Sequence, residues 1–168
     1  MKKYIFLSLM ALTLSFIACS EDNDPKDMTQ PVITDTGITC NPINCQVYHR
    51  GETIPFRYVF EDDTELGAFN IEIHDNFDHH THSTEADDHG HEGSECEDND
   101  DHEEHHEAVT PWVYSKDFSI PAGLKSYTAK IDIPIPADID EGDYHFMIRL
   151  TDHAGWQQIK GIAIKIVE

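Results

Sequence analysis

Gly142-Asp143-Tyr144-His145-Phe146-Met147-Ile148-Arg149-Leu150-Thr151-Asp152-His153-Ala154-Gly155 is the stretch that decides the fold. Tyr144, Phe146 and Ile148 recur at every second position, so an extended backbone puts them on one face and His145 on the other. Glycine opens the run, and the polar Thr151-Asp152-His153 with Gly155 closes it as a turn. The same period of two appears upstream. Ile54, Phe56, Tyr58 and Phe60 alternate with polar or small partners, and Phe69, Ile71 and Ile73 alternate with Asn70, Glu72 and His74. Trp112 to Ile120, Tyr127 to Ile133 and Ile159 to Val167 continue the series, with a short first strand near Pro31 to Thr34.

Pro111, Pro121, Gly123, Pro134, Pro136, Gly142 and Gly155 punctuate the gaps, and no amphipathic helix of useful length is evident. About seven short, half-buried strands in a single domain-sized chain predict an all-β fold, an immunoglobulin-like antiparallel β-sandwich. The 142–155 stretch resembles the penultimate strand and following turn of bacterial immunoglobulin-like domains, in which a G-x-Y-x-F run leads into a T-D-x-A-G turn.

The chain has 168 residues, 33 of them acidic and 11 basic, for a formal charge of −22. Phosphate neutralisation needs Lys and Arg in excess, so that balance excludes a nucleic-acid partner, and it equally disfavours a polybasic membrane patch. With 39% hydrophobic residues the chain still has enough apolar material for a core. The excess acid therefore belongs to an unusual segment carried by an ordinary domain.

The N-terminus is a targeting segment rather than a fold element. Met1-Lys2-Lys3 precedes an apolar run from Tyr4 to Ala18 that ends at Cys19. The run is shorter than the roughly 20 residues that span a bilayer and fits the apolar region of a secretory signal. Phe16-Ile17-Ala18-Cys19 resembles a lipobox, and Ser20-Glu21-Asp22-Asn23-Asp24 resembles the acidic export tag of surface-exposed lipoproteins in the Bacteroidetes. The expected organisation is a signal peptide over 1–18, a lipidated Cys19 with an acidic tether over 19–30, and the domain over 31–168. The expected location is the outer membrane, facing the cell surface or otherwise the periplasm, with the acyl anchor as the membrane contact.

The unusual segment is 74–107. It holds 9 of the 12 histidines and 14 acidic residues, and no Lys or Arg occurs between Arg57 and Lys116. Such a polar tract cannot bury enough apolar surface to offset its ordering entropy, so it reads as a long insertion between two strands. Imidazole suits Zn, Cu and Ni, and carboxylates add negative potential that concentrates cations. The candidate ligands are His74, His79, His80, His82, His89, His91, His102, His105 and His106. His80 with His82, and His89 with His91, share a face if extended, whereas His102, His105 and His106 share one if helical. Zn(II) is the expected ion, with Cu(II) or Ni(II) as alternatives.

His102-Glu103-Glu104-His105-His106 also satisfies the H-E-x-x-H pattern of zinc peptidases. In so His- and Glu-rich a segment the pattern carries little information beyond composition. The acidic run Glu97 to Asp101 before it lacks the apolar residues that pack a catalytic helix into a cleft. The chain is therefore expected not to be an enzyme, with a zinc hydrolase as the minor alternative.

Strand geometry sharpens the metal reading. In an immunoglobulin-type sandwich strands C and F are antiparallel neighbours. Assigning 67–74 to C and 143–151 to F leaves His74 and His145 together on the outer face, where the insertion begins. A scaffold pair of histidines would order a site far better than a polar loop alone.

The run Ile73-His74-Asp75-Asn76-Phe77-Asp78-His79-His80-Thr81-His82, with Asp62, Asp63, Leu66 and Phe69 before it and Gly142-Asp143-Tyr144-His145-Phe146 after it, resembles a family of Bacteroidetes lipoproteins known only as a domain of unknown function with an immunoglobulin-like fold. The resemblance implies fold and surface location and supplies no activity.

Two smaller constellations remain. Cys40 and Cys45 flank a proline-bearing loop and are expected to close a small disulfide ring in an oxidising compartment, leaving Cys96 over. Asp62, Asp63 and Asp152 fall at the end of the sandwich opposite His74, where they could hold Ca(II) or simply bond their own turns. The functional expectation is a metal-binding lipoprotein for acquisition, buffering or transfer to an outer-membrane transport partner. The alternative is a non-enzymatic module that binds protein or glycan through its sheet, with the insertion as a solvated spacer.

Overall fold

A computed structural model describes residues 26–35, 39–77 and 109–168. Among the described residues eight strands follow one another: β1 Val32–Thr34, β2 Gln46–His49, β3 Thr53–Glu61, β4 Leu66–Asp75, β5 Tyr114–Ser119, β6 Ser126–Pro134, β7 Gly142–Asp152 and β8 Gln157–Val167. There is no helix among the described residues. The strands form two sheets, ordered β1-β3-β6 and β2-β8-β7-β4-β5, and pack as the expected β-sandwich.

The period-two residues make the core. Ile54, Phe56, Tyr58 and Phe60 of β3 face Phe69, Ile71 and Ile73 of β4 and Tyr144, Phe146, Ile148 and Leu150 of β7, all buried. Aromatic rings join the layers: Phe56 stacks on Phe146 with centroids 5.8 Å apart, and Phe60 tilts onto Phe69 at 4.9 Å. Such pairs add about 0.5–1.5 kcal/mol each beyond their buried area.

The eighth strand is β2, absent from the sequence reading. It is four residues long with only Tyr48 buried, and it pairs with β8 in parallel, Gln46 opposite Ile164 and Tyr48 opposite Ile166. A strand that buries one side chain has no period to read.

The expected Cys40–Cys45 ring does not form. Cys40 is a free thiol packed against the core, whereas Cys45 is disulfide-bonded. The chain between them crosses from one sheet to the other. Asn41 exchanges backbone bonds with Arg57 of β3 at 3.1 and 2.9 Å, and the Cys45 amide donates to the Ala163 carbonyl of β8 at 2.8 Å. Packed sheets stand roughly 10 Å apart, whereas a disulfide needs Cα atoms within about 7 Å. Cys19 and Cys96 lie outside the described residues.

Candidate metal centre

β4 and β7 are antiparallel neighbours, and the ladder puts Ile73 opposite Phe146 and His74 opposite His145. The expected register is thus observed. The two imidazole rings lie with centroids 5.3 Å apart and planes tilted by 53°. His145 is buried, and His74 is partly exposed with its Nδ1 3.3 Å from Glu72 Oε1.

The chain is held where it enters and leaves the insertion. On the outgoing side the Asn76 amide donates to the Asp143 carbonyl at 2.8 Å, and Phe77 packs edge-on against Tyr144 at 5.4 Å. Phe77 also covers Gly142, where an added Cβ would sit 2.6 Å from the ring and where φ is +138°. On the returning side Asp140 Oδ2 accepts from the amides of Val109 and Thr110 at 2.7 and 2.6 Å. The Tyr144 hydroxyl donates to the Asp140 carbonyl at 2.7 Å and accepts from the Trp112 amide at 3.3 Å. Burial pushes that hydroxyl's pKa above its usual value, and the nearby Asp140 and Asp75 carboxylates add to the effect. Both stems of the His-rich segment are therefore clamped to residues 140–144, beside His145.

Among the described residues His74 and His145 gather no third ligand within coordinating reach; the group that does converge is elsewhere. His79, His80, His82, His89, His91, His102, His105 and His106 lie outside the described residues, as do the lipobox-like run Phe16 to Cys19 and the signal-like segment before it. Beside His74, Asn70, Glu72, Met147, Arg149 and Ile159 line a shallow concavity of about 410 Å³ on the outer sheet face.

The converging group occupies the other end of the same two strands. One carboxylate oxygen each from Asp27, Asp62 and Asp152 lies within 4.8 Å of the other two. Asp62 and Asp152 are as expected from the sequence, whereas Asp63 turns away, accepting from Thr29 Oγ1 at 2.9 Å and Thr64 Oγ1 at 3.2 Å. Its place is taken by Asp27, which the sequence had assigned to the tether. The Trp156 indole donates to the Asp27 carbonyl at 3.1 Å and seats it.

A model of a family described as a domain of unknown function, DUF4625, matches residues 17–167. The chain belongs to the DUF4625 family. No curated protein matches the sequence. In this DUF4625 domain the matched span includes both ends of the sandwich and the whole insertion.

Proposed function

We propose that the DUF4625 domain is a non-catalytic, extracytoplasmic metal-binding module that takes Zn(II) through His74, His145 and histidines of the adjoining segment, with Cu(II) or Ni(II) as competitors. The observation that carries this reading is the cross-strand pair: two imidazoles 5.3 Å apart at the point where a His-rich segment leaves β4. The strands supply two donors whose backbones are fixed by the ladder, and His79, His80 and His82 follow within a few residues of His74 to complete a tetrahedral set. His89, His91, His102, His105 and His106 add capacity for further ions. The lipobox-like start gives the module a lipid anchor on the outer membrane. Such a module suits acquisition, buffering or delivery of metal to a transport partner there.

Calorimetric titration of the full chain with ZnCl2 at pH 7.5 tests the proposal. The tightest site should weaken about tenfold or more in His74→Ala and in His145→Ala, and deletion of 78–107 should leave at most one ion. Unchanged binding in both single variants would refute the anchored site. Imidazole must be neutral to ligate, so affinity should fall steeply below about pH 6; equal affinity at pH 5 and 7.5 would contradict imidazole ligation.

One observation favours a second reading. The concavity lined by Asn70, Glu72, His74, Met147, Arg149 and Ile159 combines polar and apolar groups on an open sheet face, as a protein- or glycan-binding surface would. Partner capture that survives deletion of 78–107 and is lost in Arg149→Ala would favour it.

A further inference from the structure

Asp62 and Asp152 each use one carboxylate oxygen locally and leave the other over. Asp62 Oδ1 accepts from the amides of Thr64 and Glu65 at 2.8 and 2.6 Å, closing the turn between β3 and β4. Asp152 Oδ1 accepts from the amides of Gly155 and Trp156 at 2.6 and 2.8 Å, closing the turn between β7 and β8. Bonding within their own turns thus accounts for Oδ1 in both. It does not account for Oδ2: both Oδ2 atoms are buried and have no hydrogen-bond partner among the described residues. The residues themselves are 9% and 4% exposed. A buried carboxylate oxygen without a partner is costly, and two beside a third carboxylate repel one another. Lys125 Nζ donates to the Asp63 carbonyl at 2.7 Å and bonds neither Oδ2.

We infer that Asp27, Asp62 and Asp152 form a calcium site that fastens the segment before β1 to this end of the sandwich. A divalent cation would satisfy both orphan oxygens and turn the mutual repulsion of three carboxylates into attraction. The donors are all oxygen, a set that selects hard cations over zinc or copper, and three carboxylates drawn from two turns and a separate segment suit the irregular coordination of Ca²⁺ better than the strict octahedron of Mg²⁺. The two turns hold Asp62 and Asp152 rigidly. Asp27 comes from a different part of the chain and is seated by Trp156 and by the Thr29–Asp63 bond. This site is independent of the histidine reading, since it shares no residue with it.

The probe is Tb³⁺ on the chelator-stripped full chain, with emission sensitised through the indole of Trp156, which touches the Asp27 carbonyl. Sensitised emission should appear, be displaced by CaCl2 well before MgCl2, and fall to the level given by Trp112 alone in Trp156→Phe. Asp152→Asn keeps an oxygen for the Gly155 and Trp156 amides and should fold, yet bind Ca²⁺ about tenfold or more weakly. Asp27→Asn leaves both turns untouched and should lose the rise in Tm that calcium gives the parent chain. Emission unchanged in Trp156→Phe, equal displacement by magnesium, or an identical calcium response in parent, Asp27→Asn and Asp152→Asn would each overturn the assignment.

Discussion

The two ends of the β4–β7 ladder are built from the same strands and offer opposite chemistry. At one end His74 and His145 face each other across the ladder; at the other Asp152 pairs with Leu66 and meets Asp62 and Asp27. Eight residue steps along β4, from Leu66 to His74, separate them, roughly 26 Å. In the proposed zinc site the imidazole end would take its remaining donors from the adjoining segment, and among the described residues it offers two histidines on a ladder-fixed frame. The carboxylate end draws its donors from two tight turns and a docked arm, so its described part is convergent. A sheet thus positions ligands in two ways, by register for residues on a strand and by turn geometry for residues just beyond it.

The largest perturbation removes the frame that both ends share. Phe146 is fully buried and stacks on Phe56, so Phe146→Ala should destabilise the fold by about 3–5 kcal/mol in urea unfolding. Zinc and calcium binding should weaken together. If one survived unchanged, its ligands would not depend on the ladder.

Two glycines separate the ends. An added Cβ at Gly67 would lie 2.7 Å from the Asp152 carbonyl oxygen and 2.9 Å from its carbon, a backbone contact that only a strand shift relieves. Gly67 also sits at the register irregularity between Leu66 and Ala68. At Gly142 the clash is with the Phe77 ring, and φ of +138° adds strain for any other residue. Each Gly→Ala change should cost about 1–3 kcal/mol. Gly67→Ala should weaken calcium and spare zinc, and Gly142→Ala should do the reverse, as read by paired calorimetric titrations. Matching losses at both ends in either variant would mean that the sandwich deforms as a whole.

The period of two made the sandwich legible, and with it the meeting of His74 and His145, because register follows once neighbouring strands and their inward faces are assigned. Legibility ended where a contact depends on three-dimensional closure. β2 buries only Tyr48 and carries no alternation. The Cys40–Cys45 pairing looked local, but the chain between them crosses sheets, and closeness in sequence misled. Asp62 and Asp152 were visible as turn acids. Asp27 was not, since nothing in Asp27-Met28-Thr29 signals that an indole 129 residues later will seat it. The histidines beyond Phe77 are as legible as any residue in composition, yet composition assigns no position.

The smallest effect concerns how the imidazole end is tied down. Tyr144 stands between the outgoing Phe77 and the returning Trp112, and its hydroxyl links Asp140 to the Trp112 amide. Tyr144→Phe keeps both ring contacts and loses only that link, so it should cost about 1–2 kcal/mol and loosen zinc binding slightly while leaving calcium alone. The same hydroxyl gives a pH signature. Its pKa is raised by burial first and by nearby carboxylates second, and those of Tyr48 and Tyr114 are raised chiefly by burial. A group whose neutral form is favoured by folding contributes fully below its unfolded pKa, about 10 for tyrosine, and that contribution disappears as pH climbs beyond it. Tm should therefore hold through pH 9 and decline above about pH 10, less steeply in Tyr144→Phe than in the parent. An equally steep decline in the variant would move the alkaline sensitivity to Tyr48 and Tyr114, away from the clamp on the insertion.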